Sequence, residues 1–453
     1  MSRVVFDKLL IANRGEIALR IARACRELGV RTVAVYSTSD RDSAVVRFAD
    51  EAVHIGPPPA KKSYLNAAAV LEAALRTGAQ AIHPGYGFLS EDPDFAEACE
   101  ANGITLVGPP AKVMATLGNK ASARSMMAGA GLPLLPGSVD PLDADEALRL
   151  AERIGFPAIV KAVAGGGGRG MAVVWHQGEL AEKVRRTQAT AQALFDDRRV
   201  YVERYLTRAR HVEIQVLCDQ HGQAVHLGER DCSVQRRHQK LIEETPAAAL
   251  SKDLVRRMGE AAVRGATAAG YVGAGTFEFL VDPDGRFYFM EVNCRIQVEH
   301  PVTEMVTGVD LVQEQVRIAA GEPLRLRQND IRPRGVSIEC RINAEDPDRG
   351  FIPTPGVIDE FVPSGGPFVR VDTHAFPGCA VPPEYDSLLA KLVVWAPDRE
   401  QAINRMQRAL GEFRIAGAHV RTTIGFLRRV LDTPAFRTAT HSTSLVDEVL
   451  GTG

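Results

Sequence analysis

Residues 275–281 (Gly-Thr-Phe-Glu-Phe-Leu-Val) and 286–291 (Arg-Phe-Tyr-Phe-Met-Glu) flank Asp282-Pro283-Asp284-Gly285, and no other stretch restricts the fold as tightly. β-favouring runs on either side of an Asp/Pro/Gly turn read as an antiparallel hairpin. If Val281 pairs with Arg286, Glu278 falls opposite Phe289. Period two then puts Glu291, Asn293 and Arg295 on that same face, with Phe277, Phe279, Met290 and Val292 on the other. Glu278 and Glu291 become diagonal neighbours. Two carboxylates and an amide oxygen this close repel one another unless a cation lies between them, and all-oxygen ligation suits Mg²⁺ or Mn²⁺.

The first third of the chain follows a different rule. Short β-rich runs (8–12, 32–36, 53–55, 81–83, 105–107) alternate with amphipathic helical stretches (16–28, 64–75, 94–102), which predicts a doubly wound parallel sheet. Ile17, Ile21, Ala24, Cys25 and Leu28 share one face of the first helix. Asn13-Arg14-Gly15 occupies the strand-to-helix turn with a single glycine, which argues against a dinucleotide site there. One helical stretch is expected from Lys112 to Gly129. A second unit holds a strand, a glycine loop and a strand between about 133 and 206; a third, α+β in texture, begins near Ile331, with a strand over 337–341 and a final amphipathic helix over 399–412.

A net charge of −2 over 453 residues gives no reason to expect nucleic acid or an anionic membrane as partner. Seven scattered cysteines without a C-x-x-C pair suggest neither a disulfide framework nor a zinc site and fit a reducing, cytoplasmic setting. No apolar run approaches a membrane span.

Three further features carry chemistry. Gly165 to Gly170, with Arg169, leaves backbone N–H groups free to approach a phosphate, although it is not a Walker A loop. Lys161, set among Ile159, Val160, Ala162 and Val163, needs an anionic partner if its strand is buried, and nucleotide phosphate is the natural one. The segment 226–244 packs Arg230, Arg236, Arg237, His238 and Lys240 among four acids beside apolar strands rather than on a helical face.

Taken in order, Lys8 to Ala18, His83 to Glu91, Lys161 to Met171, Glu229 to Lys240, Asn293 to Glu304, Glu339 to Pro347 and Tyr385 to Leu392 resemble the biotin carboxylases of the ATP-grasp superfamily over nearly the whole chain. The resemblance implies an N-terminal domain over 1–114, an ATP-grasp domain over 115–330 with a lid at about 133–206, and a C-terminal domain over 331–453. It assigns ATP contacts to Lys120, Lys161, Gly167, Gly168, Glu203, Arg204, Tyr205, Leu206, His211, Gln235 and His238. Glu278 and Glu291, with Asn293 nearby, match the ligands of two Mg²⁺ or Mn²⁺ ions. Lys240, Arg295 and the Val298 backbone match a bicarbonate pocket, Glu299 the general base, Arg295 a catalytic arginine, and Arg341 the residue facing the biotin ureido oxygen.

The implied reaction is ATP-dependent carboxylation of biotin through carboxyphosphate, the first half-reaction of an acetyl-CoA or other acyl-CoA carboxylase. No Ala-Met-Lys-Met motif is present, so biotin is expected on a separate carrier protein, with separate carboxyltransferase subunits and a homodimeric carboxylase. Asn119, Ala164 and Cys294 depart from the family pattern; Asn119 bears on how Lys120 is oriented, and Cys294 should face the packed side. The rivals are an ATP-grasp ligase with another acceptor and a catalytically silent ATP-binding scaffold.

Overall fold

In a computed structural model of the chain, residues 6–138, 140–163 and 170–451 are described. Strands β1 (Lys8–Ile11), β2 (Arg31–Ser37), β3 (Glu51–Gly56), β4 (Ala81–His83) and β5 (Thr105–Leu106) form a parallel sheet in the order β3-β2-β1-β4-β5. Helix α1 (Gly15–Glu27) crosses from β1 to β2, burying Ile17, Ile21, Ala24 and Cys25. Leu9 and Ile11 enter one core and Leu10 another, because crossover helices cover both faces of such a sheet.

The helix expected over 112–129 is two helices, Ala111–Gly118 and α2 (Lys120–Gly129). Asn119 adopts extended backbone between them, and its side-chain oxygen accepts a hydrogen bond from the Ser122 N–H. A capping asparagine restarts the helix and so fixes Lys120 at its first turn.

A three-stranded antiparallel sheet follows: β6 (Ala158–Ala162) between β7 (Met171–Val174) and β8 (Val200–Arg204). The glycine loop, with Gly167 and Gly168, lies outside the described residues.

The largest sheet is antiparallel and eight-stranded. Its strands are β9 (Arg210–Cys218), β10 (Ala224–Arg236), β11 (Gln239–Thr245), β12 (Gly273–Val281), β13 (Phe287–Asn293), β14 (Val336–Asn343), β15 (Val369–Thr373) and β16 (Leu388–Ala396), ordered β13-β12-β9-β10-β11-β14-β16-β15. One apolar face packs on α3 (Lys252–Ala269) through Val212, Ile214, Phe277 and Phe279, and on the helix Arg399–Glu412 through Leu392 and Val394. The latter helix ends where expected but is not the last, since Ile424–Asp432, Pro434–Arg437 and Leu445–Leu450 follow. Strands on both sides of residue 331 pair within this one sheet.

The hairpin forms with a different register from the one expected. Val281 pairs with Phe287, Phe279 with Phe289, and Glu278 directly with Glu291. A β-bulge at Met290 shifts the alternation by one residue. Phe289 therefore joins Phe277 and Phe279 in the core, while Met290 turns to the cleft that Glu291 lines. Among the described residues all seven cysteines are free, and no helix is long and apolar enough to cross a membrane.

Candidate active site

The polar face of the eight-stranded sheet, the small sheet and α2 enclose a cleft of about 1030 Å³. Lys120, Lys161, Glu203 to Leu206, His211, Gln235, His238, Lys240, Glu278, Glu291, Asn293, Arg295, Val298, Glu299 and Arg341 all line it. Every residue to which the family resemblance assigns a role is thus gathered there, save Gly167 and Gly168, whereas Arg230 and Arg236 of the 226–244 segment do not line the cleft.

At the small sheet, Lys161 does have an anionic partner, but the chain supplies it. Its Nζ donates to Glu203 Oε2 at 2.5 Å, and Arg124 Nη1 donates to Glu203 Oε1 at 2.5 Å. Burial opposes ionisation of Glu203, yet Lys161 and Arg124 hold it below the usual carboxylate range. Arg204 turns its guanidinium to the Ile154 carbonyl, 2.9 Å away, and Tyr205 sets its ring edge-on to Trp175.

Arg237 and His238 form the two-residue turn between β10 and β11, and both take positive φ, 47° and 67°. Such turns favour glycine or asparagine, so a side chain bearing chemistry is held here at a conformational cost. His238 faces the cleft, its pKa lowered by burial and by His211 and Lys161. His211 Nε2 lies 2.9 Å from Glu278 Oε2, and its Nδ1 is 3.2 Å from Gln235 Nε2. Burial lowers the His211 pKa, but Glu278 outweighs it and the net direction is upward.

Lys240 sits among three carboxylates: Glu213 Oε2 at 2.6 Å, Glu299 Oε1 at 2.6 Å and Glu278 Oε1 at 3.0 Å. Glu299 is fully buried just before helix α4 (His300–Thr307), with its second oxygen 2.9 Å from Arg341 Nη2. Burial pushes its pKa up, but Lys240, Arg341 and Arg230 hold it well below the ordinary range. Arg341 also donates from Nε to Glu243 Oε1 at 2.6 Å. Arg295 donates to Glu91 Oε2 at 2.9 Å, Gln297 Oε1 at 2.8 Å and Asn293 Oδ1 at 3.1 Å.

The residues fit a divalent cation. Glu278 and Glu291 face each other in register across two strands, and Glu291 remains open to the cleft. Burial and the Glu278 charge both raise the Glu291 pKa, a repulsion that a cation relieves. Asn293 stands beside them, but its amide nitrogen donates to Glu278 Oε1 at 2.9 Å while its oxygen faces Arg295. As seen, the amide oxygen does not converge with the carboxylates.

Motif reading gave no role to several residues that hold the site: Glu91, Arg124, Glu213, Glu243 and Lys391; Arg230 stood out only as one charge of the 226–244 segment. A signal existed for one of them. His211, Glu213 and Gln215 interleave with Val212, Ile214 and Val216, the period-two mark of a strand with one polar and one apolar face. Arg230 and Glu243 are separated in sequence from Glu213 and Arg341, which they touch, so no local pattern exposes these pairings.

Comparison with known proteins agrees with this geometry. The family model for the biotin carboxylase N-terminal domain matches residues 5–114, that for the ATP-binding domain of the carbamoyl-phosphate synthase L chain matches 119–327, and that for the biotin carboxylase C-terminal domain matches 339–448. The chain is 54% identical to a biotin carboxylase of Nostoc sp. over 98% of this chain and 99% of that one. Among solved structures, the biotin carboxylase domain dimer of the 2-oxoglutarate carboxylase from Hydrogenobacter thermophilus, in complex with MgADP, ADP and bicarbonate, superposes with a TM-score of 0.94 at 47% identity, covering 99% of this chain and 98% of that one. The biotin carboxylase subunit of pyruvate carboxylase superposes with a TM-score of 0.86 at 44% identity, covering 99% of this chain and 99% of that one. With an ATP-grasp fold, a cleft lined by paired carboxylates and cations, and such identity along its whole length, the chain belongs to the biotin carboxylase family.

Proposed function

We propose that this cleft carboxylates biotin, presented on a carrier protein, with ATP and bicarbonate as co-substrates. One observation carries the assignment of roles: the Glu299 carboxylate is clamped between Lys240 and Arg341 at the floor of the cleft. So strongly stabilised a carboxylate is a weak base. Bicarbonate arriving at Lys240, Arg295 and the Val298 backbone would draw cationic charge toward its own oxygens, raising the basicity of Glu299 at the moment a proton must be removed. The deprotonated anion then attacks the γ-phosphate and displaces ADP to give carboxyphosphate.

Lys120, Lys161, His211, Gln235, His238, the 203–206 segment and the Gly167-Gly168 turn are the proposed ATP contacts. Lys161 would exchange Glu203 for phosphate oxygens, a charge-assisted pairing of similar kind. Mg²⁺ or Mn²⁺ held by Glu278 and Glu291, with Asn293 near, would neutralise phosphate charge when bound. Arg341 lies beside Glu299 and would face the biotin ureido oxygen, so that acceptor and base would share one ion-pair network.

The proposed domains are 1–114, 115–330 with a lid at about 133–206, and 331–453, a division that the three family matches support. We further propose a homodimer in the cytoplasm, working with a biotin carboxyl carrier protein and carboxyltransferase subunits. The dimer in the Hydrogenobacter structure supports the first of these. The proteins it resembles include both a biotin carboxylase and the biotin carboxylase subunit of a pyruvate carboxylase, so acetyl-CoA or another acyl-CoA is the proposed final acceptor with pyruvate as its alternative.

The test is ATP cleavage with Mg²⁺ and ¹⁴C-bicarbonate, with and without biotin. Label in carboxybiotin, reduced about 10²- to 10⁴-fold in Glu299→Gln, is the expected result. ADP release without labelled biotin would point to another acceptor, and no turnover even with carrier protein would mark a binding scaffold.

A further inference from the structure

Lys391, within the Tyr385 to Leu392 motif, has no part in the proposed chemistry. Lys391 lies on β16 directly opposite Arg341 of β14 and is fully buried. Its Nζ donates to the Val298 carbonyl oxygen at 2.9 Å, stands 3.1 Å from Glu16 Oε1 and lies 3.9 Å from Asp372 Oδ2.

Burying an ammonium group requires a counter-charge, and Glu16 provides one. The contact with Val298 is not needed for that purpose. Glu16 lies in the first turn of α1, Asp372 belongs to the edge strand β15, and Val298 lies between β13 and α4. One ammonium group therefore ties the segment entering α4 to two otherwise separate parts of the fold. Tyr86 extends the link, lining the cleft while its hydroxyl donates to Glu16 Oε1.

What the tie holds is decisive. Val298 immediately precedes Glu299, and Glu299 occupies the N-cap position of α4 without capping it, because its side chain is turned to Lys240 and Arg341. The helix entrance lacks the side-chain cap that ordinarily fixes it. The Lys391 contact to the Val298 carbonyl fixes the peptide joining Val298 to Glu299 instead.

Resting on the function proposed above, we infer that Lys391 is a positioning residue of the bicarbonate pocket: it sets the Val298–Glu299 backbone, and with it the aim of the base, without touching substrate. Lys391→Met should raise the KM for bicarbonate by about tenfold or more, since small displacements of reacting groups are costly. The KM for ATP should change less than about twofold, as no proposed ATP contact is shared. Amide hydrogen exchange over 297–301 should quicken in the same variant. Lys391→Arg separates position from charge, because it keeps the cation but not the single-point contact. A raised bicarbonate KM in that variant supports positioning, whereas wild-type values would show that only charge compensation matters and overturn the inference. It serves equally if Lys391→Met does not fold. Unchanged bicarbonate KM and exchange in folded Lys391→Met would also overturn it. Failure of the wild-type protein to cleave ATP in response to bicarbonate would instead overturn the function itself.

Discussion

The two large sheets are buried to a similar depth by different means. In the parallel sheet both faces of β1 are apolar, with Leu9, Leu10 and Ile11 all fully buried. In the antiparallel sheet β9 buries Val212, Ile214 and Val216 on one face and Glu213 and Gln215, equally inaccessible, on the other. Arg230 compensates that second face, donating to Glu213 at 2.5 Å, Gln215 at 2.8 Å, Thr303 at 3.0 Å and Thr276 at 3.2 Å. The first sheet shows how burial builds stability. The second shows how charged groups are accommodated on a buried face, where Glu213 is shared by Arg230 and Lys240 while Glu291 stands against Glu278.

The contrast has measurable edges. Removing Arg230 would leave the Glu213 charge in the interior with Lys240 alone, so Arg230→Met should cost about 3–5 kcal/mol in denaturant unfolding, the penalty for breaking a buried pair. Loss of less than about 1 kcal/mol would mean that the network repacks freely and that the polar face is not tightly satisfied. In the parallel sheet Leu10→Ala should cost about 2–5 kcal/mol through the cavity it opens. Its KM values per folded molecule should stay at wild type; altered substrate binding would show that the two sheets are not separable.

A smaller effect tests the polar face by pH. Burial raises the Glu243 pKa to about 7, only partly offset by Arg341 and reinforced by Glu299. The unfolded chain releases this proton near pH ~4.3, so between about 4.3 and 7 the folded protein binds a proton that the unfolded one does not. The stability this group contributes is therefore complete below about pH 4 and is lost as pH rises through about 7. Glu243→Gln cannot lose a proton. Its stability relative to wild type should rise between about pH 5 and 7.5, by up to about 3 kcal/mol. A pH-independent difference would place the titration elsewhere in the network.

Much of this was legible without a structure. The alternation of apolar runs and amphipathic helices specified the parallel sheet, and the period-two run in β9 carried its two faces openly. Glu278 and Glu291 could be paired from the hairpin alone, although the bulge at Met290 made them direct rather than diagonal partners. A bulge is set by packing: Phe289 gains the core with Phe277 and Phe279 only if the alternation slips. The interruption at Asn119 was hidden for a related reason, since asparagine is tolerated within helical stretches and caps only where the tertiary path turns.

The elements, their faces and, through ordered motifs, the family and the residues that line the cleft follow from the chain alone, because those properties are local or are carried by residue identity. Which charges neutralise which was settled by the folded arrangement: Glu203 for Lys161, Glu213 for Lys240 and Arg230, Glu91 for Arg295, Glu243 for Arg341, and Glu16 for Lys391. Pairing energies depend on distance and desolvation, and both arise when strands far apart in the chain are brought onto one buried face.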